Sequence, residues 1–486
     1  MPSFDTMPLQ NIKVEPMKAT STTEKTAIPS IDQEMIAMKR KGDPRSYNDR
    51  MSWLAVFYKL IPDGIGVAGL RYAFNPREIR IRRSMWLLLV LIAFCFTSYQ
   101  IVDRILYFAS HPKDVDINIE YRHEVPFPSV AICNINIFRR GAVNGTVFED
   151  FLADLFFNGT SVNMTKYRDE LEQYEMTETF REMGHDVEMT IKDFYWSGLE
   201  LSLDNFTMRN TEAGVCIVFN DIDNGFPQLM ASGNGPRNGL YLKLKASQDD
   251  YYFHPFQMIT AGFQVLLYDY GTEPVIERGS FGIAVGMETH VAVDITEYYN
   301  LPRPHGLCEN KTLKYFDTYG YSECALECAS EFILERCNCN ILSMNTPARE
   351  CNAYEFFNCI NPSFGDYVKE RYEASCHCPV PCFIREYSSS VSILTSPSQH
   401  WSTYSAPQFG VSPEYFRNNI CSLVIFMKDL SVETISQQIK YPFFSLLCDI
   451  GGSLGLWLGG SILTVFEVFD LFSMSTYVYS KMNHRR

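Results

Sequence analysis

"LLCDIGGSLGLWLGGSILTVFEVFDLF", residues 446–472, is apolar enough to cross a membrane, yet it carries Asp449, Glu467, Asp470 and five glycines. A plain anchor avoids both. A charge at the bilayer centre costs about 3 kcal/mol on insertion scales, so such side chains turn toward water or protein. On a continuous helix Asp449 and Glu467 stand about five turns apart on one face. Ser453, Leu456, Gly460, Leu463 and Asp470 fall near the same stripe. A small-residue face packed on a neighbouring helix accounts for the glycines but leaves the carboxylates unexplained. The stripe therefore reads as the wall of a wet passage built from several copies, because one span cannot enclose a pore. Midway lies Gly459–Gly460–Ser461. Adjacent glycines weaken a helix by about 1 kcal/mol each, and non-helical backbone at membrane depth is tolerated where it lines a cavity. Carbonyls and hydroxyls there can replace part of an ion's hydration shell. The carboxylates would concentrate cations and exclude anions.

Working outward, a second apolar run, "MWLLLVLIAFCFTSYQIV", covers Met85–Val102 and continues past Asp103 and Arg104 through "ILYF". That is enough for the roughly 20 residues a helix needs to span hydrocarbon. Arg77, Arg80, Arg82 and Arg83 precede it, and Lys481, Arg485 and Arg486 follow the later run. Positive residues stay in the cytosol, so both termini are expected inside. Thirteen of the 15 cysteines lie between Cys133 and Cys421, and the sequons at Asn144, Asn158, Asn163, Asn205 and Asn310 share that region. Both signs place the middle of the chain in an oxidising, extracellular compartment. The expected organisation is a cytosolic tail and pre-span segment (1–84), a first span (85–108), an extracellular domain (109–440), a pore-bearing second span (441–473) and a cytosolic tail (474–486). No cleavable signal peptide is expected, since residues 1–50 lack a 7–15-residue apolar stretch. Residues 1–60 read as a disordered tail. The glycine-rich "PDGIGVAGLRYAF" before the first span reads as a flexible linker or, less plainly, as a segment at the inner mouth of a pore. The formal net charge of −15 argues against nucleic acid as a partner.

"DIGGSLGLWLGGSILTVFEVFD" resembles the second span of the degenerin/epithelial sodium channel superfamily. "PFPSVAICNINIF", 126–138, resembles its first extracellular strand. "YSECALECASEFILERCNCNILSM", 321–344, and "CHCPVPC", 376–382, resemble its cysteine signature. The resemblance runs from about residue 64 to 472. It implies an α+β membrane protein of two transmembrane helices and a large disulfide-rich extracellular domain in a palm, thumb, finger, knuckle and β-ball arrangement. It also implies a homotrimer or heterotrimer in the plasma membrane, and a sodium-selective pore blocked by amiloride. No cofactor is implied; sodium is the permeant ion. Gly459, Gly460 and Ser461 fall on the selectivity motif. Cys448 falls on the position where bulk holds family channels open, Leu447 or Asp449 would form part of the same constriction, and Asp449, Glu467 and Asp470 complete the pore set. The implied disulfides are Cys133–Cys216, Cys308–Cys382, Cys324–Cys378, Cys328–Cys376, Cys337–Cys359 and Cys339–Cys351, leaving Cys421 as a thiol. A zinc site in "CNC" and "CHC" with His377 is the rival reading of those cysteines, disfavoured in an oxidising compartment.

Departures narrow the branch. The His-Gly pair that precedes the first span in the family reads here as Asp63–Gly64 or Ala68–Gly69. The wrist aromatic reads as His305, with Tyr107 its expected partner in coupling the domain to the spans. Two thumb carboxylates of acid-sensing members read as Asn361 and Gly365, while Asp249 and Asp250 are retained. Carboxyl pairs that share protons would close less readily without the opposing acids. The pattern is most similar to the invertebrate peptide-gated branch, the FMRFamide-gated sodium channels, so an amidated neuropeptide is the expected agonist. "VFEDFLADLFF", 147–157, has helical apolar spacing. Its face either packs on the domain core or lets Phe148, Phe151 and Phe156 line a cleft for the peptide, with Asp154 near its arginine. No nucleotide-binding, zinc-protease or serine-hydrolase motif appears, so an enzyme is not expected. A two-span adhesion protein would not need the polar stripe.

Overall fold

The structure, a computed structural model, describes residues 53–54, 57, 60–61, 66–67, 69–75, 78–159, 162–252, 259–340, 346, 348–369 and 372–484. Asp63 and Gly64, the expected pre-span pair, lie outside these residues. The chain forms two units, one of residues 1–101 with 450–486, the other of residues 102–449.

In the first unit a short helix, Leu70–Phe74 (α1), starts at Gly69, whose φ of 89° is left-handed backbone. A Cβ there would meet Trp86 and Val90 at 3.0 Å, so both the dihedral and the close approach call for glycine. The following helix, Arg80–Ala109 (α2), has 30 residues and contains an 18-residue window of mean hydropathy 2.1, long and apolar enough to cross a membrane. It begins before the apolar run because "RIRRS" contains nothing that breaks a helix. Residues 53–74 are not a free linker where they are described. Tyr72 stacks on Trp86 at 5.2 Å, Arg83 Nε donates to the Ala73 carbonyl at 3.2 Å, and Trp53 meets Phe472 edge-on at 5.2 Å.

The second unit is built on two sheets. Met287–Tyr299 alternates buried and half-buried residues, the period-two pattern of a strand with one face in a core. It pairs antiparallel with Phe383–Thr395 and parallel with the 20-residue strand Ile420–Ile439. The seven-stranded sheet continues through Leu240–Lys245, Ile191–Trp196 and Leu199–Glu200, and Lys113–Tyr121 pairs with the far half of Ile420–Ile439. A five-stranded sheet runs Phe281–Ala284, Gly262–Tyr268, Ser129–Asn134, Gly214–Phe219, Phe206–Thr211. Both sheets feed one apolar core containing Phe127, Ile132, Phe219, Leu242, Phe263 and Val293. Cys133 and Cys216 are directly opposed in register, which brings their Cα atoms to 4.2 Å for the cross-strand disulfide.

Helices cover the rest. Val147–Asn158 (α3) and Met176–Met183 (α4) share a second core with an aromatic pair, Phe356 and Phe357, that arrives from the cysteine-rich region. Tyr321–Cys337 (α5) carries Cys324 and Cys328 one turn apart on one face. They reach Cys378 and Cys376, two residues apart in a turn closed by the Cys378 amide on the Cys376 carbonyl at 2.9 Å, and Cys337–Cys359, Cys339–Cys351 and Cys308–Cys382 complete the set. These are the pairs the resemblance implies, and every sulfur of "CNC" and "CHC" is in one of them. Cys421 is a buried thiol, its ionisation pushed up to about 12 by burial.

One expectation needs correction here. Phe148 and Phe151 do not line a cleft: both are fully buried. Phe148 stands edge-on to Tyr174 at 5.1 Å, and Phe151 to Tyr167 and Phe357 at 5.4 and 4.8 Å. The apolar face of α3 faces the core because Phe356 and Phe357 close over it. Phe151→Ala is therefore expected to destabilise the domain by about 3–5 kcal/mol, as aromatic truncations in cores do. A clear fall in melting temperature of the purified channel, with reduced surface biotinylation, is the expected readout; unchanged values would contradict this placement.

Candidate functional site

The second apolar segment is two helices, Phe443–Leu458 (α6) and Ile462–His484 (α7). They meet the requirement for a span only as a pair, bent by 70° at the break between them. The sequence makes the break locally. Gly459 has φ 64°, and its amide donates to Gly455 O at 3.1 Å while that of Gly460 reaches Leu454 O at 3.2 Å. A left-handed glycine just past the last turn is a common way to end a helix. Ser461 then starts the next one: its Oγ accepts the Leu463 amide at 3.2 Å, and Thr464 Oγ1 accepts the Ser461 amide at 2.9 Å. This reciprocal serine–threonine arrangement is a variant of the capping box. Gly459–Ser461 is thus a stop and a start in three residues, and it turns polar backbone out of the helical ladder.

The break overturns the single-stripe reading. Asp449 and Glu467 sit on different helices and have different partners. Asp449 Oδ2 accepts from the Tyr441 hydroxyl at 2.6 Å, one residue past the exposed thiol of Cys448. Glu467 Oε2 accepts from the backbone amide of Gly66 at 2.7 Å. A Cβ on Gly66 would stand 3.0 Å from that oxygen. Glu467 thereby fastens the pre-span segment to α7, a contact 401 residues long in sequence that no local pattern signals. Asp470 is exposed. The two apolar segments also meet each other within the first unit: Phe96 stacks on Trp457 at 5.1 Å, and Trp457 Nε1 donates to Gln100 Oε1 at 2.9 Å.

Tyr107 and His305 are not a pair. Tyr107 packs edge-on against Tyr441 at 5.2 Å, and His305 against His111 at 5.1 Å. The hydroxyl of Tyr441 holds Asp449 while its ring holds Tyr107, so Tyr441 is the residue that joins the ends of α2 and α6. Sequence reasoning missed it because a tyrosine at the edge of an apolar run is ordinary.

Further from the spans, Asp249 Oδ1 accepts from the Tyr415 hydroxyl at 2.8 Å and Asp250 Oδ1 from the Gly141 amide at 2.7 Å. Both carboxylates are engaged in structural bonds. Asp154 is held by Lys166 and by the Tyr167 hydroxyl, and these bonds lower its ionisation from the usual carboxylate range. Phe156 and its neighbour Phe157 are 43% and 79% exposed, so the outward aromatics of α3 are at its C-terminal end. Four sequon asparagines, Asn144, Asn158, Asn163 and Asn310, are exposed, and Asn205 is half-buried. Burial pushes the carboxyls of Glu212, Glu273 and Asp269 above their ordinary range, the last despite the Arg385 guanidinium at 3.1 Å.

A long apolar helix, a second apolar segment broken at Gly-Gly-Ser, and a disulfide-stapled β domain between them in sequence are the parts expected of a two-span channel subunit. Comparison with known proteins agrees: the amiloride-sensitive sodium channel family matches residues 63–471, and the chain belongs to that family. It is 29% identical to acid-sensing ion channel 1 of Gallus gallus over 443 residues, covering 86% of this chain and 82% of the other. It is equally identical to acid-sensing ion channel 2 of Homo sapiens over 443 residues, covering 86% and 85%. Among solved structures a proton-activated chloride channel aligns with 80% of this chain and 96% of the other at 7% identity, with a TM-score of 0.33, too slight a likeness to inform the fold.

The Glu467–Gly66 bond separates two roles for that carboxylate. Glu467→Gln keeps an acceptor for the Gly66 amide, whereas Glu467→Ala does not. The expected result is near-normal sodium-over-potassium permeability in the glutamine variant and a clear loss in the alanine variant. Equal losses in both would assign the role to the charge.

Proposed function

We propose that three copies of this chain, in a homotrimer or with related subunits, form a sodium-selective, amiloride-blocked channel of the plasma membrane. Both termini are cytosolic, α2 and the α6–α7 pair span the bilayer, and the glycosylated, disulfide-rich domain is outside. Gly459–Ser461 is the narrow, ion-selecting segment. The observation that carries this is the capped break itself. Irregular backbone at membrane depth is stable only beside protein or water, and a break that supplies its own caps leaves further carbonyls for a dehydrating ion. Cys448 and Asp449, on the outer side of the break, belong to the gate, and Asp470 to the inner mouth.

An extracellular ligand opens the pore. Family membership does not specify which, and the side chains favour an amidated neuropeptide. What supports this over protons is that Asn361 and Gly365, on the helix Asn361–Lys369, carry no carboxyl to share a proton, and that Asp249 and Asp250 are already bonded. With Phe148 and Phe151 buried, the outward Phe156 is the remaining aromatic contact of the expected set; Asp154 has its charge met by Lys166. A ligand opens the pore only if the open form holds it more tightly.

Opening by acid is the second reading, favoured by the acid-sensing relatives and by the raised carboxyls of Glu212, Glu273 and Asp269. The sign is clear: a carboxyl whose native pKa exceeds its unfolded one holds its proton more tightly when packed. Acid therefore stabilises that packing, and the stabilisation is lost as pH rises through the native value. Oocytes expressing the chain alone decide between the two. Short amidated peptides are expected to evoke an amiloride-sensitive sodium current at neutral pH, while steps to acid pH evoke little. The reverse pattern would establish the second reading, and no sodium current under either stimulus would contradict the proposal.

A further inference from the structure

Two histidine rings meet just past the end of α2. His111 follows the last helical residue, Ala109, by two positions. Its φ is 49° and its amide donates to the Phe108 carbonyl at 3.1 Å, so it is the left-handed residue that closes the helix. Beyond it the Pro112 carbonyl accepts the Lys440 amide at 3.1 Å, and Lys113 opens the ladder with Ile439. His305 stands on a tight loop. The Gly306 amide donates to the Pro302 carbonyl at 3.0 Å and the Cys308 amide to the Leu301 carbonyl at 3.2 Å, while the Cys308–Cys382 disulfide anchors the loop's end. The backbone is thus held on either side of both histidines. Their rings stand edge-on with centroids 5.1 Å apart. Both are half-buried, and no ring nitrogen of either has a hydrogen-bond or ion-pair partner among the described residues.

We propose that His111 and His305 together bind a divalent transition-metal ion such as Zn²⁺. Neutral imidazole is the commonest protein ligand for such ions, whereas magnesium and calcium seek oxygen. Two imidazoles on one zinc, at a Zn–N distance of about 2.1 Å and a near-tetrahedral angle, have ring centroids about 5 Å apart. The pair already has that separation. Rotation about χ2, a broad torsion in histidine, can turn a nitrogen of each ring to a common point. Because the backbone is held on both sides, binding orders little besides the two rings. Two protein ligands are fewer than the four of a structural zinc site, so water completes the shell and the ion exchanges with solution. Its consequence is a tie between the residue that closes α2 and the disulfide-held loop, both within the second unit. A pair kept for ring packing alone would serve as well with phenylalanine in place of one histidine, and that difference supplies the test.

The test uses the purified full-length protein, prepared with a tag free of histidine and stripped with a chelator. Zinc chloride and nickel chloride are titrated calorimetrically, with magnesium chloride as the comparison arm. Wild type is expected to show a saturable site for zinc and nickel and none for magnesium. His305→Phe keeps a ring for the edge-on contact and removes one ligand. His111→Asn keeps a residue type that tolerates left-handed backbone and removes the other. Each is expected to weaken the site by at least the roughly tenfold that losing a group which only supports a metal ligand costs. His123→Asn, at an exposed histidine elsewhere in the same unit, is expected to leave it unchanged. A metal-free melting temperature near that of wild type shows that a variant is folded, and the two positions are independent, so if one variant misfolds the other decides. No saturable site in wild type, equal zinc titrations in wild type and a folded variant, or an equal response to magnesium would overturn the proposal. Binding is read without agonist or current, so its result stands apart from whether the protein conducts sodium.

Discussion

Backbone groups released from a helix at membrane depth must find partners, because hydrocarbon offers none. That constraint governs the break at Gly459–Ser461. The chain meets it locally, with a left-handed glycine closing α6 and a serine–threonine pair opening α7. What it leaves over at the end of α6 is carbonyls, the end of a helix dipole that favours a cation. Under the proposed function the same three residues satisfy a folding requirement and supply the ion site.

The rest of the first unit organises around that break. Trp457 docks α6 on Phe96 and Gln100, and Glu467 docks the pre-span segment on α7. Gly69 lets α1 approach Trp86 and Val90. Each contact uses a residue whose substitution would leave local helix propensity almost untouched, so the energetic demand is tertiary. In the second unit the corresponding device is rigidity. Disulfides to Cys376 and Cys378 staple α5, Cys133–Cys216 ties two strands of the five-stranded sheet, and the aromatic pair Phe356–Phe357 packs against α3 and α4. Within that unit Tyr441 ties the end of α2 to the start of α6 through Tyr107 and Asp449.

Much of this was legible in the sequence. Hydropathy gave α2, because a run of that length has few soluble alternatives. The cysteine spacing, once matched to a family signature, gave the pairing that the structure also has. Gly459–Ser461 stood out because glycines and carboxylates are out of place in an anchor. The polar stripe did not survive, since it assumed the continuous helix that the same glycines interrupt. The inward face of α3 was ambiguous for a different reason. Periodicity reveals that a face is apolar but not what covers it, and its cover, Phe356 and Phe357, lies some two hundred residues away. The Glu467–Gly66 bond and the Tyr441–Asp449 bond were invisible for the same reason: a hydrogen bond between distant segments leaves no periodic trace.

The account's central claim is that the break between α6 and α7 is where sodium is selected. The most direct measurement is the bi-ionic reversal potential of Gly459→Ala channels under sodium and potassium. At φ 64° a Cβ is strained, and relief of that strain would draw the carbonyls of the break back toward the helix. The account predicts a reversal potential moved toward that of a channel indifferent to the two ions, with protein still at the cell surface. An unchanged reversal potential with normal current would contradict it.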